Sequence, residues 1–493
     1  MAGLFSFCPP TTEAIEMTST FVSTSIPYVN AAPHVGFALE LVIADTIARW
    51  HRLQGEDVFF LTGTDENALT NVRAAEQLGI TPGQLCDRNA PLFEKLVSAL
   101  GISADAFVRT SGSGHHAAVQ KLWSSLRADD LSLRGYRGLY CVGCERFYEQ
   151  EELSEGLCPT HRVPPEAVDE ENHFFALSHY QSQLEAWLTE GVLHVTPASR
   201  QREALGFIAQ GLRDGSVSRS RERSRGWGVP VPGDYSQTVY VWVDALTNYL
   251  SGLGYGSGAE AFARYWQGSG RRVHIIGKDI LRFHAVLWPA LLASAGLPLP
   301  TSVVVHGFLS VDGEKISKSR GNAVSPFPVI DKYGADVLRY YLLRAIPAGA
   351  DGDYSESRLE EVYQADLANG LGNLVRRLET LCERAGFRTD GQSTPEATSV
   401  VRDATGEYQF QQALRQLWDE IAQLNRSIDR AKPWEALPPG ESADLHRDLA
   451  DWVRRIRQVG AGLRPFLPHT AVEIEQRFSS PAVKVGEVLF PRR

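Results

Sequence analysis

The chain has 493 residues, 43% of them hydrophobic and 22% charged, and a formal net charge of −10. One hydrophobic core does not grow to that length, so two to four domains are expected. The acidic balance excludes a generally basic nucleic-acid binder, although not a local basic face, and no apolar run approaches the ~18–20 residues that cross a bilayer.

Residues 1–20 lack the basic start and long apolar centre of a secretory signal, so they read as a loose leader with Met17 as an alternative start. Met1 and Met17 are the only methionines, and nothing in the physics of the chain explains that depletion. Phe21 to Ser25 is rich in β-branched residues and ends at the turn Ile26-Pro27-Tyr28-Val29-Asn30. Beyond Pro33, Leu39, Ile43, Ile47, Trp50 and Leu53 recur at three- and four-residue steps, which predicts a helix stopped by Gly55. Val58-Phe-Phe-Leu61 is a continuous apolar run suited to a strand buried on both faces. Strand, helix and strand in that order open a doubly wound parallel sheet, whose ligands bind beyond the carboxyl ends of the strands.

Further along, Cys141, Cys144, Cys158 and His161 form a Cys-x2-Cys-x13-Cys-x2-His pattern, with Gly138, Gly143 and Gly156 permitting tight turns. The spacing suits a closed, tetrahedral zinc site. A redox Cys-x-x-Cys would not need the second half-site, and disulfides do not suit a chain without a secretory signal. Cys8, Cys86 and Cys382 are isolated.

The strand grammar then returns. Val273-His-Ile-Ile276 reads as a buried strand, Gly277-Lys-Asp279 opens a helix to about Leu292, and Thr301 to Val305 is another strand. It leads to Lys315-Ile-Ser-Lys-Ser319, a loop bracketed by Gly313 and Gly321. Arginine supplies 41 of the 49 basic residues, yet Lys278, Lys315 and Lys318 keep lysine. A compact, mobile ammonium differs chemically from a guanidinium fork, and its retention there points to phosphate chemistry. After about residue 355 the strand signals fade. Leu414, Leu417, Ile421, Leu424 and Ile428 form a helical stripe, Leu445 to Phe478 repeats it, and an α-helical bundle is expected. Arginines gather there, at Arg376, Arg377, Arg384, Arg388, Arg426, Arg430, Arg454, Arg455 and Arg457, either as solvated helix faces or as the local basic face.

Pro33-His34-Val-Gly-Phe37, Gly277-Lys-Asp279 and Lys315-Ile-Ser-Lys-Ser319, in this order and separation, resemble the signatures of the class I aminoacyl-tRNA synthetases. With the cysteine cluster, the resemblance narrows to the methionyl-tRNA synthetases of the compact bacterial type with one zinc knuckle, and runs from about Phe21 to the C-terminus. The fold it implies is α/β, a doubly wound Rossmann-type parallel sheet split by a zinc-knuckle insertion and followed by a C-terminal α-helical anticodon-binding bundle. The implied boundaries are a leader (1–20), the first catalytic half (21–115), a connective insertion with the knuckle (116–234), the second catalytic half (235–300), a stem-contact region with the lysine loop (301–355) and the anticodon-binding domain (356–493).

The implied reaction is activation of methionine by ATP to methionyl-adenylate, followed by transfer to tRNA(Met). His34, Lys315 and Lys318 match the family's transition-state groups. Asn30, His34, Gly36, Phe37, Gly277, Asp279 and Lys318 match its ATP site, used with Mg2+, and the four knuckle residues match its Zn2+ site. Ile26, Tyr28, Asp65, Trp242, Ala245, Tyr249, Ile280 and His284 match its methionine pocket, with Asp65 on the ammonium and Tyr28 and His284 near the sulfur. Asn373, Arg377 and Trp434 match the readers of the CAU anticodon. The expectation is a cytoplasmic monomer with no membrane partner. Three departures bear on turnover more than on specificity: Phe37 for the second histidine of His-x-Gly-His, Asn67-Ala68 for His-Gly after Asp65-Glu66, and Ile316 for methionine in the lysine loop. They leave open a second-copy enzyme for inhibitor resistance or a biosynthetic pathway, and a silent RNA-binding paralogue.

Overall fold

The computed structural model describes residues 19–315, 324–347, 349–389, 395–436 and 443–492. Lys318 and Ile316, and all but the last two residues of the expected leader, lie outside the described residues, and Lys315 is described only as backbone in the strand Glu314–Lys315.

Six parallel strands form the central sheet: β1 (Ser19–Thr24), β2 (Asp57–Thr64), β3 (Ala106–Arg109), β4 (His194–Thr196), β5 (Arg271–Gly277) and β6 (Ser302–His306). Their order is β3-β2-β1-β5-β6-β4, the doubly wound arrangement expected from the sequence. The apolar runs are continuous because both faces are covered. Val22 lies in register with Phe60 and Val273, and all three enter one core, while the neighbouring residues Phe21, Leu61 and Ile276 enter the core on the opposite face. Strand β4 falls within the range read as the insertion. At three residues, with only Val195 buried, it carries too little pattern to be seen without its partner strand.

The first crossover is α1 (Val35–Leu53), which starts at His34 and gives way to Gly55 at φ +81°. After two helices between β2 and β3 (Leu69–Leu78 and Pro82–Ala99) come α2 (Ser113–Ser125) and a long antiparallel ribbon pairing Leu131–Cys141 with Glu166–Phe175. Helix α3 (Val241–Leu246) returns the chain to the sheet. The helix expected from Gly277 to Leu292 is broken into a 3₁₀ turn (Lys278–Ile280), a π turn (Phe283–Leu287) and an α-helix (Trp288–Ser294). Pro289 lacks the N–H that a regular helix would give to Ala285, and the wider turn accommodates it.

The C-terminal part is helical, as expected: α4 (Ala335–Ala345), α5 (Asn373–Arg384), α6 (Phe410–Ala431), α7 (Ala443–Leu463) and α8 (Pro468–Ser479). The stripe Leu414, Leu417, Ile421, Leu424 and Ile428 is buried along α6. These helices share one uninterrupted core with α1 and the sheet face bearing Val22, Phe60 and Val273. No described helix is long and apolar enough to cross a membrane.

At the centre of that shared core lies a fully buried guanidinium. Arg339 on α4 pairs with Asp45 on α1 at 2.7 Å, and both side chains are inaccessible to solvent. It also donates to the carbonyls of Phe466 (2.8 Å) and Pro465 (3.1 Å), between α7 and α8. Asp45 further accepts from Arg49 and from Ser103. Burial pushes the Asp45 carboxyl upward, but Arg339 and Arg49 outweigh it and hold its pKa below the ordinary value. That stabilisation is complete above the unfolded carboxylate's pKa and is lost as pH falls through the lowered folded value. Removing one partner strands the other in the core, so Arg339→Ala should cost about 3–5 kcal/mol in urea denaturation. A cost below about 1 kcal/mol would show that the pair is not the joint described here.

Candidate active site

The carboxyl ends of β1, β2, β5 and β6 open into a cavity of about 760 Å³. Ile26, Tyr28, His34, Gly36, Phe37, Asp65, Trp242, Ala245, Tyr249, Gly277, Asp279, Ile280 and His284 all line it, although they come from four separated stretches of chain. Asn30 is half-buried beside the same turn and is not among the lining residues.

His34 caps α1. Its Nδ1 accepts from the Gly36 N–H at 3.1 Å, which assigns the ring proton to Nε2 and makes that atom a donor at the helix N-terminus. Gly277 closes β5, and a Cβ there would come within 3.0 Å of the Asp279 carboxylate, so glycine keeps that acid accessible. Beside them Lys278 is drawn to Asp351 (2.6 Å) and lies over the Phe308 ring.

The opposite end of the cavity is aromatic and neutral. Tyr249 and His284 meet at 2.7 Å, and His284 Nδ1 lies 3.0 Å from the Ile280 carbonyl. The carbonyl can only accept, so the proton sits on Nδ1 and Nε2 accepts from the tyrosine hydroxyl. Burial lowers the His284 pKa to about 4 and raises that of Tyr249, which keeps both groups uncharged near neutrality. Trp242 stacks on Phe283 with ring centroids 3.8 Å apart and planes within 6°. Asp65 is 3% exposed, and burial, reinforced by Asp244 and Glu145, pushes its pKa well above the carboxylate range. Burial and then Asp65 raise the Tyr28 hydroxyl likewise.

Sequence reasoning missed Phe283, although it adjoins His284. It also missed Glu40 and His306, half a chain apart. His306 Nε2 meets Glu40 at 2.9 Å and its Nδ1 meets the Gly307 carbonyl at 2.8 Å. With an acceptor at each nitrogen the ring is an imidazolium. Burial opposes that charge, but Glu40 outweighs it and holds the pKa above the ordinary value.

Two departures have local explanations. Phe37 is buried and meets Phe93 edge to face, with centroids 5.6 Å apart, so the position serves packing. Ala68 adopts φ −71° and ψ 143°, an ordinary extended conformation that needs no glycine. Asn67 donates through Nδ2 to the Thr110 carbonyl (3.0 Å) and to Asp244 (2.9 Å).

Cys141, Cys144, Cys158 and His161 converge, their ligand atoms all within 4.8 Å of one another. Cys144 Sγ lies 3.5 Å from Cys158 Sγ and 3.2 Å from His161 Nδ1. These Cys144 separations lie close to the roughly 3.3–3.8 Å edges of tetrahedral zinc with Zn–S near ~2.3 Å, and three thiols with an imidazole are donors that suit that ion. A Cβ at Gly143 would meet the His161 ring at 2.8 Å, which explains the glycine. The knuckle also walls the cavity: Cys144 and His161 line it, and Trp242 Nε1 approaches the Cys144 carbonyl at 3.4 Å.

In the helical part, Asn373 opens α5 and Arg377 lies one turn on. Arg377 reaches α6, pairing with Asp429 at 2.6 Å and Asn425 at 3.2 Å. Trp434 follows α6 after a left-handed Lys432 and is 48% exposed, which is rare for so large an apolar ring.

The chain matches the family described as tRNA synthetases class I (M) over residues 20–167 and 160–379. It is 40% identical over 482 residues to the methionine–tRNA ligase of Mesorhizobium japonicum, covering 94% of this chain and 92% of that one. It is 41% identical over 480 residues to the methionine–tRNA ligase of Thermosynechococcus vestitus, with 92% and 88% covered. The solved methionyl-tRNA synthetase of Mycobacterium tuberculosis in complex with methionyl-adenylate superposes with a TM-score of 0.88 at 36% identity, over 97% of this chain and 100% of that one.

Two outcomes follow from the geometry. His284 has a folded pKa of about 4, below the unfolded value, so its contribution to stability is full above ~6.5 and is lost as pH falls towards 4. The melting temperature of the wild type should therefore fall more steeply across that window than that of His284→Asn. Metal analysis of the purified protein should find stoichiometric zinc that Cys158→Ser loses, and a metal-free wild type would overturn the zinc assignment.

Proposed function

The chain belongs to the class I tRNA synthetases of the methionine type, and we propose that it is a methionine–tRNA ligase. In the first step a carboxylate oxygen of methionine attacks the α-phosphorus of ATP, the bond to the β-phosphate breaks, and pyrophosphate leaves. In the second, a ribose hydroxyl at the 3′ end of tRNA(Met) attacks the activated carbonyl carbon, and AMP leaves. The observation that carries this reading is the single cavity lined by His34 and Asp279 together with Asp65 and the Tyr249–His284 pair.

The proposed roles follow from the geometry. The stacked Trp242 and Phe283, with Ile26, Ala245 and Ile280, make an apolar sleeve for an unbranched, polarizable side chain. Tyr28, Tyr249 and His284 offer neutral polar contacts near the sulfur, because a charged group there would demand a counter-ion that a thioether lacks. Asp65 takes the ammonium, which relieves the burial of its own charge.

At the nucleotide end, His34 Nε2–H and the amides at the start of α1 face the phosphates. Asn30, Gly36, Phe37, Gly277 and Asp279 complete the nucleotide site in this reading. Negative charge grows on phosphate oxygens during the attack, so placed donors rather than a covalent nucleophile lower the barrier. Lys315 and Lys318 are assigned to those oxygens together with Mg2+, which travels with ATP. Zinc, when bound, would tie Cys141, Cys144, Cys158 and His161 into a rigid wall for the pocket.

Hydrophobic discrimination is worth only ~1–3 kcal/mol per methylene, so the Tyr249–His284 pair has to add polar selectivity. For tRNA, Trp434 supplies a stacking face and Arg377, beside Asn373, a planar donor for unpaired anticodon bases.

Methionine-dependent ATP–pyrophosphate exchange tests the proposal. Exchange with methionine is expected, and its absence in protein that binds tRNA would overturn it. Lys318→Ala should slow exchange by about 10²–10³-fold. Trp434→Ala should leave exchange intact while charging of tRNA(Met) drops by roughly ten- to a hundredfold. Equal loss of both would contradict the anticodon assignment.

A further inference from the structure

Four acids are buried at the cavity: Asp65, which lines it, and Glu66, Glu145 and Asp244, all at most 3% exposed. Two are matched by arginine. Glu66 receives Arg109 at 2.7 Å, and Glu145 receives Arg219 at 3.0 Å. The other two are joined by Asn67. Its backbone N–H donates to Asp65 at 3.3 Å, and its side-chain amide donates to Asp244 at 2.9 Å. Among the described residues no lysine, arginine or histidine pairs with Asp65. The one basic side chain paired with Asp244 among the described residues is the His115 imidazole, at 2.7 Å, and that ring is itself held by Ser251 at 2.7 Å. Asp244 stands on α3 between Trp242 and Ala245 in sequence, and both of those residues line the cavity.

We propose that Asp244 is a positioning residue for the substrate's α-ammonium: through Asn67 it fixes the Asp65 carboxylate and sets a second negative charge behind it. The inference rests on the reading of Asp65 as the ammonium's acceptor. Asp65 has no basic side chain as a partner among the described residues, and the cation that completes the group is the amine of a free amino acid. Burial and Asp244 together raise the Asp65 pKa, as they should if the two carboxylates share a low-dielectric layer. Asn67, a departure from the histidine usual after Asp65-Glu66, bridges the two acids without adding a charge. The group therefore selects a primary ammonium and gives nothing to a ligand without one.

The test compares methionine with 4-(methylthio)butanoate, the same skeleton without the amine. In Asp244→Asn the carbonyl can still accept from Asn67, and His115 can present Nε2 as an acceptor to the new amide. The methionine KM in pyrophosphate exchange should rise about tenfold, the scale of one screened charge at close range. The ATP KM and the inhibition constant of the deaminated acid should stay unchanged. Asn67→Ala, measured beside it, should show the same selectivity with a smaller shift. Equal weakening of both ligands would make Asp244 a structural residue and overturn the proposal, as would an unchanged methionine KM. Asp65→Asn separates the two levels. If it spares the methionine KM, the assignment of Asp65 fails; if it alone raises that KM, only the role of Asp244 falls.

Discussion

The ion pair of Asp45 with Arg339 joins the two halves of this molecule. Burying a guanidinium and a carboxylate costs several kcal/mol per charge, and the cost is offset only when every donor and acceptor is matched. Here Asp45 takes Arg339, Arg49 and Ser103, and Arg339 divides its remaining donors between Pro465 and Phe466. Those partners come from α1, α4, the loop that precedes β3 and the turn between α7 and α8. No single element can satisfy the pair, so forming it requires the sheet and the bundle to dock in one arrangement. The shared apolar core then fills around it. Since α1 begins at His34, the helix that presents the nucleotide end of the cavity is anchored in the same joint as the helical bundle.

The cavity follows the opposite electrical rule at each end. Near His34 and Gly277 the structure offers N–H groups, a histidine held charged by Glu40, and Lys278, all suited to phosphate. Near Tyr249 and His284 it offers a neutral hydrogen-bonded pair among aromatic rings, because a thioether can repay neither a buried charge nor a lost hydrogen bond. Asp65 lies between these environments with a carboxylate held above its ordinary pKa. An amino acid and a nucleotide have to approach each other there, carboxylate to phosphorus. The ammonium is the only part of the amino acid able to compensate a buried acid.

What the sequence made legible divides by the range of the interaction involved. The strands of the sheet were readable because a strand covered on both faces must be apolar throughout, and α1 because its stripe keeps a helical period. The convergence of Cys141, Cys144, Cys158 and His161 was readable because three thiols and an imidazole in a fixed local spacing carry their own chemistry. By contrast, β4 has three residues and takes its identity from β6, more than a hundred positions away. Glu40 with His306, and Asp45 with Arg339, are single polar residues in apolar surroundings, and nothing local marks them as partners. Trp242 and Phe283 illustrate the same limit. Each is an ordinary aromatic until the fold brings the rings to 3.8 Å.

The departures from the family pattern show why a motif has to be read through its geometry. Gly to Ala at position 68 would be costly only if the backbone needed a positive φ, and at φ −71° it does not. Phe37 gives up a phosphate donor, but its ring packs on Phe93 and stabilises the first turn of the helix that presents His34. Asn67 replaces a group able to carry positive charge with a neutral side-chain amide that donates to Asp244, while its backbone N–H donates to Asp65. That exchange leaves Asp65 without a basic partner among the described residues, which raises the electrostatic cost of the pocket before a substrate cation arrives. The changes at 37 and 68 are thus absorbed by packing and by backbone conformation, whereas the one at 67 alters the charge that the amino acid meets.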